Sequence, residues 1–381
     1  MSTTTFQGPQ ATVAVDGPRN YEPPAELMRT FNKLLTRRRF SWTAHPRLGR
    51  PLGQGGQGVV YLSERKGADG FTVPIALKVF SPERYESASS YQLDMARIAR
   101  VSSRVAQIQH DNLLGVQDFF DRNQIRIMAM EWVDGSDVRS LLNNDLLARI
   151  RGRVSANRWE YINRVILTKG PVQPQVKPGV AIAIVRDCLE ALGALHRNGV
   201  VHGDVKPGNI MLKRTGHAKI IDIGSAFDQD DPPAMRMCTP SYASTEVLEG
   251  HVPDGRSDLA SLGYVLVELL AGRPLFPHAA SYQDLIEAKR SLHQKLETML
   301  PQEVACNNLL MNFCRKLIAP DPSARFPNAE TAELVKGGAA AFHRQLVISD
   351  LASEYDNEIR LWLEEVKELE AFDSEADTMP Q

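Results

Sequence analysis

The sequence predicts an α+β fold, and three observations carry the prediction. Strand-like segments around a glycine-rich turn crowd the first third of the chain, a polar run occupies residues 202–209, and a second carboxylate, Asp222, follows thirteen residues later. The 381 residues suffice for one two-part domain with extensions, and 43% hydrophobic residues suffice for its core.

The first strands surround Gly53-Gln54-Gly55-Gly56-Gln57-Gly58-Val59-Val60, which continues through Tyr61 and Leu62. Glycines in such a turn admit φ above zero and leave space for the backbone to approach a phosphate, although an ordinary hairpin uses the same residues. Val73-Pro74-Ile75-Ala76-Leu77-Lys78 reads as the next strand and ends on a lysine. Residues 125–133 alternate as a third strand and break at Asp134-Gly135, a turn pair.

The polar run is His202-Gly203-Asp204-Val205-Lys206-Pro207-Gly208-Asn209, and Asp222 lies in Ile221-Asp222-Ile223-Gly224. Phosphoryl transfer asks little covalent chemistry of a protein; it needs a positioned nucleophile and neutralised phosphate charge. A carboxylate to orient a hydroxyl, a lysine near the moving phosphate, and an Asn with a second Asp to hold Mg²⁺ would suffice. Asp204, Lys206, Asn209 and Asp222 supply those groups within twenty residues.

The order of these motifs resembles the eukaryotic-type (Hanks-type) serine/threonine protein kinases: G-x-G-x-x-G-x-V, V-A-I-K, H-R-D-x-x-x-x-N and D-F-G. Further matches are Cys238-Thr239-Pro240-Ser241-Tyr242-Ala243-Ser244-Thr245-Glu246 to G-T-x-x-Y-x-A-P-E, Arg256 to Gly263 to the helix whose Asp braces the catalytic loop, and Asp321 to Phe326 to D-P-x-x-R-F. The resemblance spans about residues 48–338. It implies a bilobal kinase fold: a small, mostly antiparallel sheet lobe with one main helix over about 48–133, and a larger helical lobe over about 134–338. It further implies ATP and Mg²⁺. Gly53, Gly55, Gly58 and Lys78 would hold the phosphates, while Val60 and Ala76 would roof the adenine. Met130 would stand behind the ring, Glu131 and Val133 would offer hinge backbone groups, and Met211 would form the floor. Asp204 would orient the acceptor hydroxyl, Lys206 would stabilise the transferred phosphate, and Asn209 and Asp222 would bind metal. Lys206 and Thr239 imply Ser/Thr rather than Tyr acceptors on protein substrates, and Glu246 with Arg325 implies a desolvated ion pair.

Three departures stand beside the matches. The family places a Glu on the first main helix to hold the strand lysine, nine residues before the His of an element represented here by His110-Asp111-Asn112. Counting back reaches Val101, and the neighbouring Arg97, Arg100, Ser102 and Ser103 carry no carboxylate. Asp94 and Glu86 are the acids that a shift of register could bring in. Gly203 replaces the Arg that receives a loop phosphate, and Ile223 replaces the Phe of D-F-G. The alternative expectation is therefore a pseudokinase-type scaffold that binds nucleotide with little turnover. A third, transfer to a small-molecule hydroxyl, is disfavoured by the Thr239 segment and the Glu246–Arg325 match.

A net charge of −2 implies no bulk affinity for nucleic acid, but the charge is uneven: residues 349–381 hold eleven acids against Arg360 and Lys367. Residues 1–24 are expected to be disordered and lack a signal-peptide core, and no apolar run is long enough to cross a bilayer. Residues 25–47 form an amphipathic basic extension. Four cysteines without metal-site spacing point to a reducing cytoplasm. Residues 143–178 read as a basic insertion in the helical lobe, with Ser155 capping a helix that carries Trp159, Ile162 and Ile166, then a Pro/Gln/Gly loop after Lys169. In the acidic extension 339–381, Leu351, Tyr355, Ile359, Trp362, Val366 and Leu369 recur at helical spacing. The insertion and this helix are candidate partner surfaces, the helix either folding back on the domain or pairing with another chain.

Overall fold

The computed structural model describes residue 29 and residues 47–233, 238–348 and 355–376. Residues 1–45 make up a separate unit and, apart from Arg29, fall outside the described residues, as do the expected basic extension and Leu351.

The small lobe is a five-stranded antiparallel sheet. Its strands are β1 (Pro51–Gly55), β2 (Gly58–Lys66), β3 (Thr72–Phe80), β4 (Val116–Arg122) and β5 (Ile125–Glu131), in the order β1-β2-β3-β5-β4. Register puts Lys78 opposite Val60 on one side and Met128 on the other, and pairs Ala76 with Met130. Helix α1 (Ala88–Val105) begins at Ser87, whose hydroxyl accepts the Ser90 amide while the Ser90 hydroxyl accepts that of Ser87, a reciprocal cap. Its buried face is Met95, Ile98, Val101 and Val105, at the three- and four-residue spacing that makes one stripe. Val101, the position that counting back from His110 singled out, is thus a core residue. The side chain that α1 sends toward the 222–226 segment is Arg97, whose guanidinium donates to the Ala226 carbonyl at 2.9 Å. Neither Val101 nor Arg97 offers Lys78 a carboxylate.

In the larger lobe a short strand β6 (Gly135–Asp137) leads to the insertion, which is folded: α2 (Asn144–Arg151), α3 (Ala156–Val165) and the hairpin β7 (Leu167–Lys169) with β8 (Pro174–Val176). Ser155 caps α3, accepting the Arg158 amide at 3.2 Å. The expected loop after Lys169 is shorter than its Pro and Gln suggested, because Pro174 to Val176 pair with the strand before them. Pro starts a short strand here at no cost to the ladder. The lobe is built on α4 (Pro178–Arg197) and α5 (Gly255–Ala271), both apolar almost all round and buried. Around them lie α6 (Tyr282–Met299), α7 (Asn308–Leu317) and α8 (Ala339–Ile348).

The last helix, α9 (Tyr355–Ala376), folds back onto α2, α4 and β10 (Ile210–Lys213). Tyr355, Ile359, Trp362, Leu363, Val366 and Leu369 are buried, and the Tyr355 ring lies where any side chain at Gly179 would stand. Arg158 of the insertion donates to Glu365 at 2.7 Å and to Glu358 at 3.3 Å. The acidic helix and the basic insertion therefore meet each other within one chain. Among the described residues no helix is long and apolar enough to cross a membrane.

Candidate active site

The loop from His202 to Asn209 is suspended from α5 by one buried carboxylate. Asp258 accepts the backbone amides of His202 at 2.8 Å and Gly203 at 2.9 Å, and the ring of His196 at 2.9 Å. Burial would raise its pKa, but His196 and these amides hold it below the ordinary carboxylate value. Gly203 takes φ +77°, a left-handed conformation open to glycine, and an added Cβ would stand 3.0 Å from the Ser225 carbonyl oxygen.

Asp204 then sits at the centre of a bonded group. Lys206 Nζ donates to its Oδ2 at 2.6 Å and to Thr239 Oγ1 at 2.9 Å, while the Thr239 amide donates to its Oδ1 at 2.9 Å. Asn209 Nδ2 donates to the Asp204 carbonyl at 2.8 Å and to Oδ2 at 3.2 Å. That leaves the Asn209 side-chain oxygen as a hard donor. Asp222 faces the same space from the other strand pair, β10 with β11 (Ala218–Ile220). It adopts φ +62° and accepts Lys78 at 2.5 Å and the Gly224 amide at 3.0 Å, both on Oδ1. Burial pushes its carboxyl up, but Lys78 and the Gly224 amide prevail and lower it to about 2. One carboxylate oxygen and one amide oxygen thus remain to meet a cation. Mg²⁺ asks for no more, since it is ordinarily held by one or two carboxylates with substrate phosphates and water.

Of the residues expected around the adenine, Met130 is buried and pairs with Ala76 across the β3–β5 ladder, while Met211 and Val60 are partly buried. The Glu131 side chain turns inward, accepting Lys219 at 2.5 Å and the Gly115 amide at 2.6 Å, and its own amide is bonded to the Gly115 carbonyl at 2.9 Å. The hinge amide of Glu131 is therefore occupied, which narrows its expected backbone role to the carbonyl. Among the glycines, Gly58 is fixed by the chain itself: φ is +140°, and a Cβ would come within 2.0 Å of the Val79 carbonyl oxygen. A Cβ on Gly53 or Gly55 would meet nothing within 4 Å. Their lack of a side chain matters only for something outside the chain.

The segment that closes the site is held from below. Glu246 and Arg325 form a two-pronged pair, both bonds at 2.7 Å, with Ser257 donating to Glu246 at 2.7 Å and Arg325 donating to the Ala319 carbonyl at 2.7 Å. Burial would raise Glu246, but Arg325 outweighs it and the carboxyl falls to about 2.

The family model described as the protein kinase domain matches residues 47–335. The chain belongs to the protein kinase family. Among curated proteins it is 31% identical over 255 residues to the serine/threonine-protein kinase PknB of Mycobacterium leprae, covering 63% of this chain and 35% of that one. It is 29% identical over 299 residues to a probable serine/threonine-protein kinase of Streptomyces coelicolor, covering 74% of this chain and 38% of that one. The chain thus spans a little over a third of the length of these relatives. Among solved structures, the kinase domain of Mycobacterium tuberculosis PknI matches with a TM-score of 0.53 at 24% identity, covering 80% of this chain and 97% of that one, a likeness of fold.

Within this kinase domain, Asp204 is bonded to Lys206 and Asn209 and Lys78 to Asp222, and several residues that the sequence did not single out join them. Gln57 reaches from the β1–β2 turn to Lys78, and Ser225 meets Gln57. Lys219 braces Glu131 from a three-residue strand, Ala218-Lys219-Ile220, that is buried throughout. Lys289 of α6, buried over the rings of Tyr264 and Phe276, donates to the Ser241 carbonyl at 2.7 Å, and burial drives its pKa well below the ordinary lysine value. Asp94, by contrast, is engaged with Arg84, Tyr85 and Arg97 on the outer side of α1. The carboxylate that Lys78 meets is Asp222.

Proposed function

We propose that the chain transfers the γ-phosphate of ATP to Ser or Thr hydroxyls of protein substrates. The observation that carries the reading is the group around Asp204: one carboxylate held by Lys206, Thr239 and Asn209 at the mouth of a cleft that also presents Lys78 and Asp222. In this reading Asp204 accepts the hydrogen bond of the incoming hydroxyl and takes its proton as the new oxygen–phosphorus bond forms and the bond from the γ-phosphorus to the β–γ bridging oxygen breaks, releasing ADP. Lys206, already beside that carboxylate, turns its charge to the transferring phosphoryl group. Lys78 holds the α- and β-phosphates, and Gly53 and Gly55 leave room above them. Met130, Met211, Val60, Ala76 and the backbone at Glu131 and Val133 form the adenine site. Asn209 and Asp222 would hold Mg²⁺, which when bound neutralises charge on the phosphate oxygens. Ser/Thr selectivity is supported by the Lys206–Thr239 bond at 2.9 Å, because it ties the closing segment to the lysine beside the acceptor site. A cytoplasmic location is part of the same proposal, in keeping with Cys188, Cys238, Cys306 and Cys314, all of them free thiols.

The test is transfer of labelled γ-phosphate to the protein itself and to a generic basic substrate, beside Asp204→Asn. General-base contributions of this kind run to about 10²–10⁴-fold, and a loss of that size with label on Ser or Thr is the expected result. No label from the unaltered protein, with nucleotide still raising its melting temperature, would replace this reading with a nucleotide-binding scaffold.

A further inference from the structure

A buried ammonium must be met by acceptors, and Lys78, whose side chain is 5% exposed, carries three donors. Asp222 Oδ1 takes one at 2.5 Å and Gln57 Oε1 another at 2.7 Å. The third is left for the cleft. Helix α1, which in most of the family supplies a carboxylate to this lysine, here presents Arg97, itself tied to Asp94 and to the Ala226 carbonyl. A guanidinium on that face offers Lys78 no acceptor, so orientation has to come from elsewhere.

We propose that Gln57 is the positioning residue for Lys78, taking over from the glycine loop the work that a carboxylate on α1 would do. Three features of the geometry support it. The Gln57 amide is held at both ends: its oxygen accepts Lys78, and its Nε2 donates to Ser225 Oγ at 2.9 Å, three residues beyond Asp222. Its backbone is fixed as well, with the Ser81 amide donating to the Gln57 carbonyl at 3.0 Å and Gly58 beside it locked at φ +140°. Finally, the space for the amide is set aside by Gly224, where a Cβ would lie 2.0 Å from Gln57 Oε1 and 2.7 Å from Lys78 Nζ. Gln57 thus joins the glycine loop, the lysine strand and the Asp222 turn through a single side chain. Being neutral, it orients the ammonium without cancelling its charge, which stays available to phosphate. Asp222, the other acceptor, is shared with metal in the reading above, whereas the Gln57 oxygen serves Lys78 alone.

The inference rests on the nucleotide site proposed above, and the experiment separates the two by reading binding as well as turnover. MgADP affinity, kcat and KM for ATP are measured for the unaltered chain, Gln57→Ala, Gln57→Glu and Lys78→Met. A hydrogen bond to a charged group is worth roughly 10- to 100-fold, so Gln57→Ala is expected to weaken MgADP binding and to lower kcat/KM by about that factor. Gln57→Glu, which keeps an acceptor for Lys78 but cancels its charge, is expected to recover only part of the loss. In the Lys78→Met background Gln57→Ala should change MgADP affinity by less than about twofold, since additivity fails for groups that act through each other. A chain that binds MgADP with this pattern but turns nothing over would sink the kinase reading and leave Gln57 in its role. Equal or tighter nucleotide binding in Gln57→Ala would overturn the role itself, identifying the side chain as a plug over the phosphate site. The same loss in the presence and absence of Lys78 would overturn it too, by showing that Gln57 acts on the loop alone.

Discussion

On the catalytic-loop side of the cleft, Asp204 is tied to Lys206, Thr239 and Asn209, and the loop beneath it hangs from the buried Asp258. On the glycine-loop side, Lys78 is met by Asp222 and by a neutral amide reaching down from a two-residue turn. The first side is held by charges inside a large helical core. The second is held between the sheet of the small lobe and the Asp222 turn. Such an arrangement fixes Asp204 rigidly and leaves Lys78 dependent on where the glycine loop lies. Position on the first side is a property of folding; on the second it is tied to the state of the loop.

The comparison is broken most severely at the base of the catalytic side. Arg325→Ala would strand Glu246 in a buried place with only the Ser257 and Thr245 hydroxyls as side-chain support, and loss of one partner of a buried pair costs about 3–5 kcal/mol. Urea unfolding should show that loss directly. A change below about 1 kcal/mol would mean that the pair does not brace the closing segment. The matching substitution across the cleft, Gln57→Ala, should lower the unfolding midpoint much less, since Lys78 keeps Asp222 and the side chain removed lies at a turn.

The same pair sets an acid limit. Glu246 falls to about 2 in the folded chain from an ordinary 4.5, so the folded state binds its proton less readily than the unfolded one. Stability from this source is fully present above about pH 4.5 and is lost as pH falls toward about 2. The shift corresponds to about 3 kcal/mol, at roughly 1.4 kcal/mol per pH unit. Asp222, lowered to about 2 by Lys78 against the push of burial, loses its contribution over a similar range. Unfolding free energy measured from pH 6 to pH 3 should fall more steeply for the unaltered chain than for Glu246→Gln. Parallel slopes would show that the carboxyl is not held down by its partner.

What could be read in advance divides along the same line. The catalytic side was legible because its parts are short contiguous runs, His202 to Asn209 and Ile221 to Gly224, whose chemistry is visible in the residue types. Glu246 and Arg325, 79 residues apart, were found because each sits in a motif of its own. The lysine side was legible only as a gap. The missing carboxylate could be seen, but the turn of α1 facing the cleft could not, since a helical register is fixed by packing: Val101 turned out to be core and Arg97 to face the 222–226 segment. Gln57 carried no signal, because a polar residue at the tip of a glycine turn reads as solvated until the fold lays the turn over Lys78. The acidic helix was legible as a helix from its stripe, while its seat on the insertion follows from shape, with Tyr355 packed onto Gly179.

The smallest effect on stability, and the sharpest contrast between what the chain needs and what a ligand needs, is expected within the glycine loop. Gly58 is required by the fold: an alanine Cβ there would press into the Val79 carbonyl at 2.0 Å in a backbone conformation that side chains resist. Gly53 and Gly55 are not, since a methyl group at either would meet open space. Replacing glycine by alanine where the conformation permits changes stability by only about 0.4–1 kcal/mol, in the stabilising direction, because the unfolded chain loses freedom. Gly53→Ala and Gly55→Ala should therefore unfold at the same urea concentration as the unaltered chain or slightly higher, while binding MgADP more weakly. Gly58→Ala should lose stability. If the first two bind nucleotide as tightly as before, the space above Lys78 is not a phosphate site, and the glycines there serve the hairpin alone.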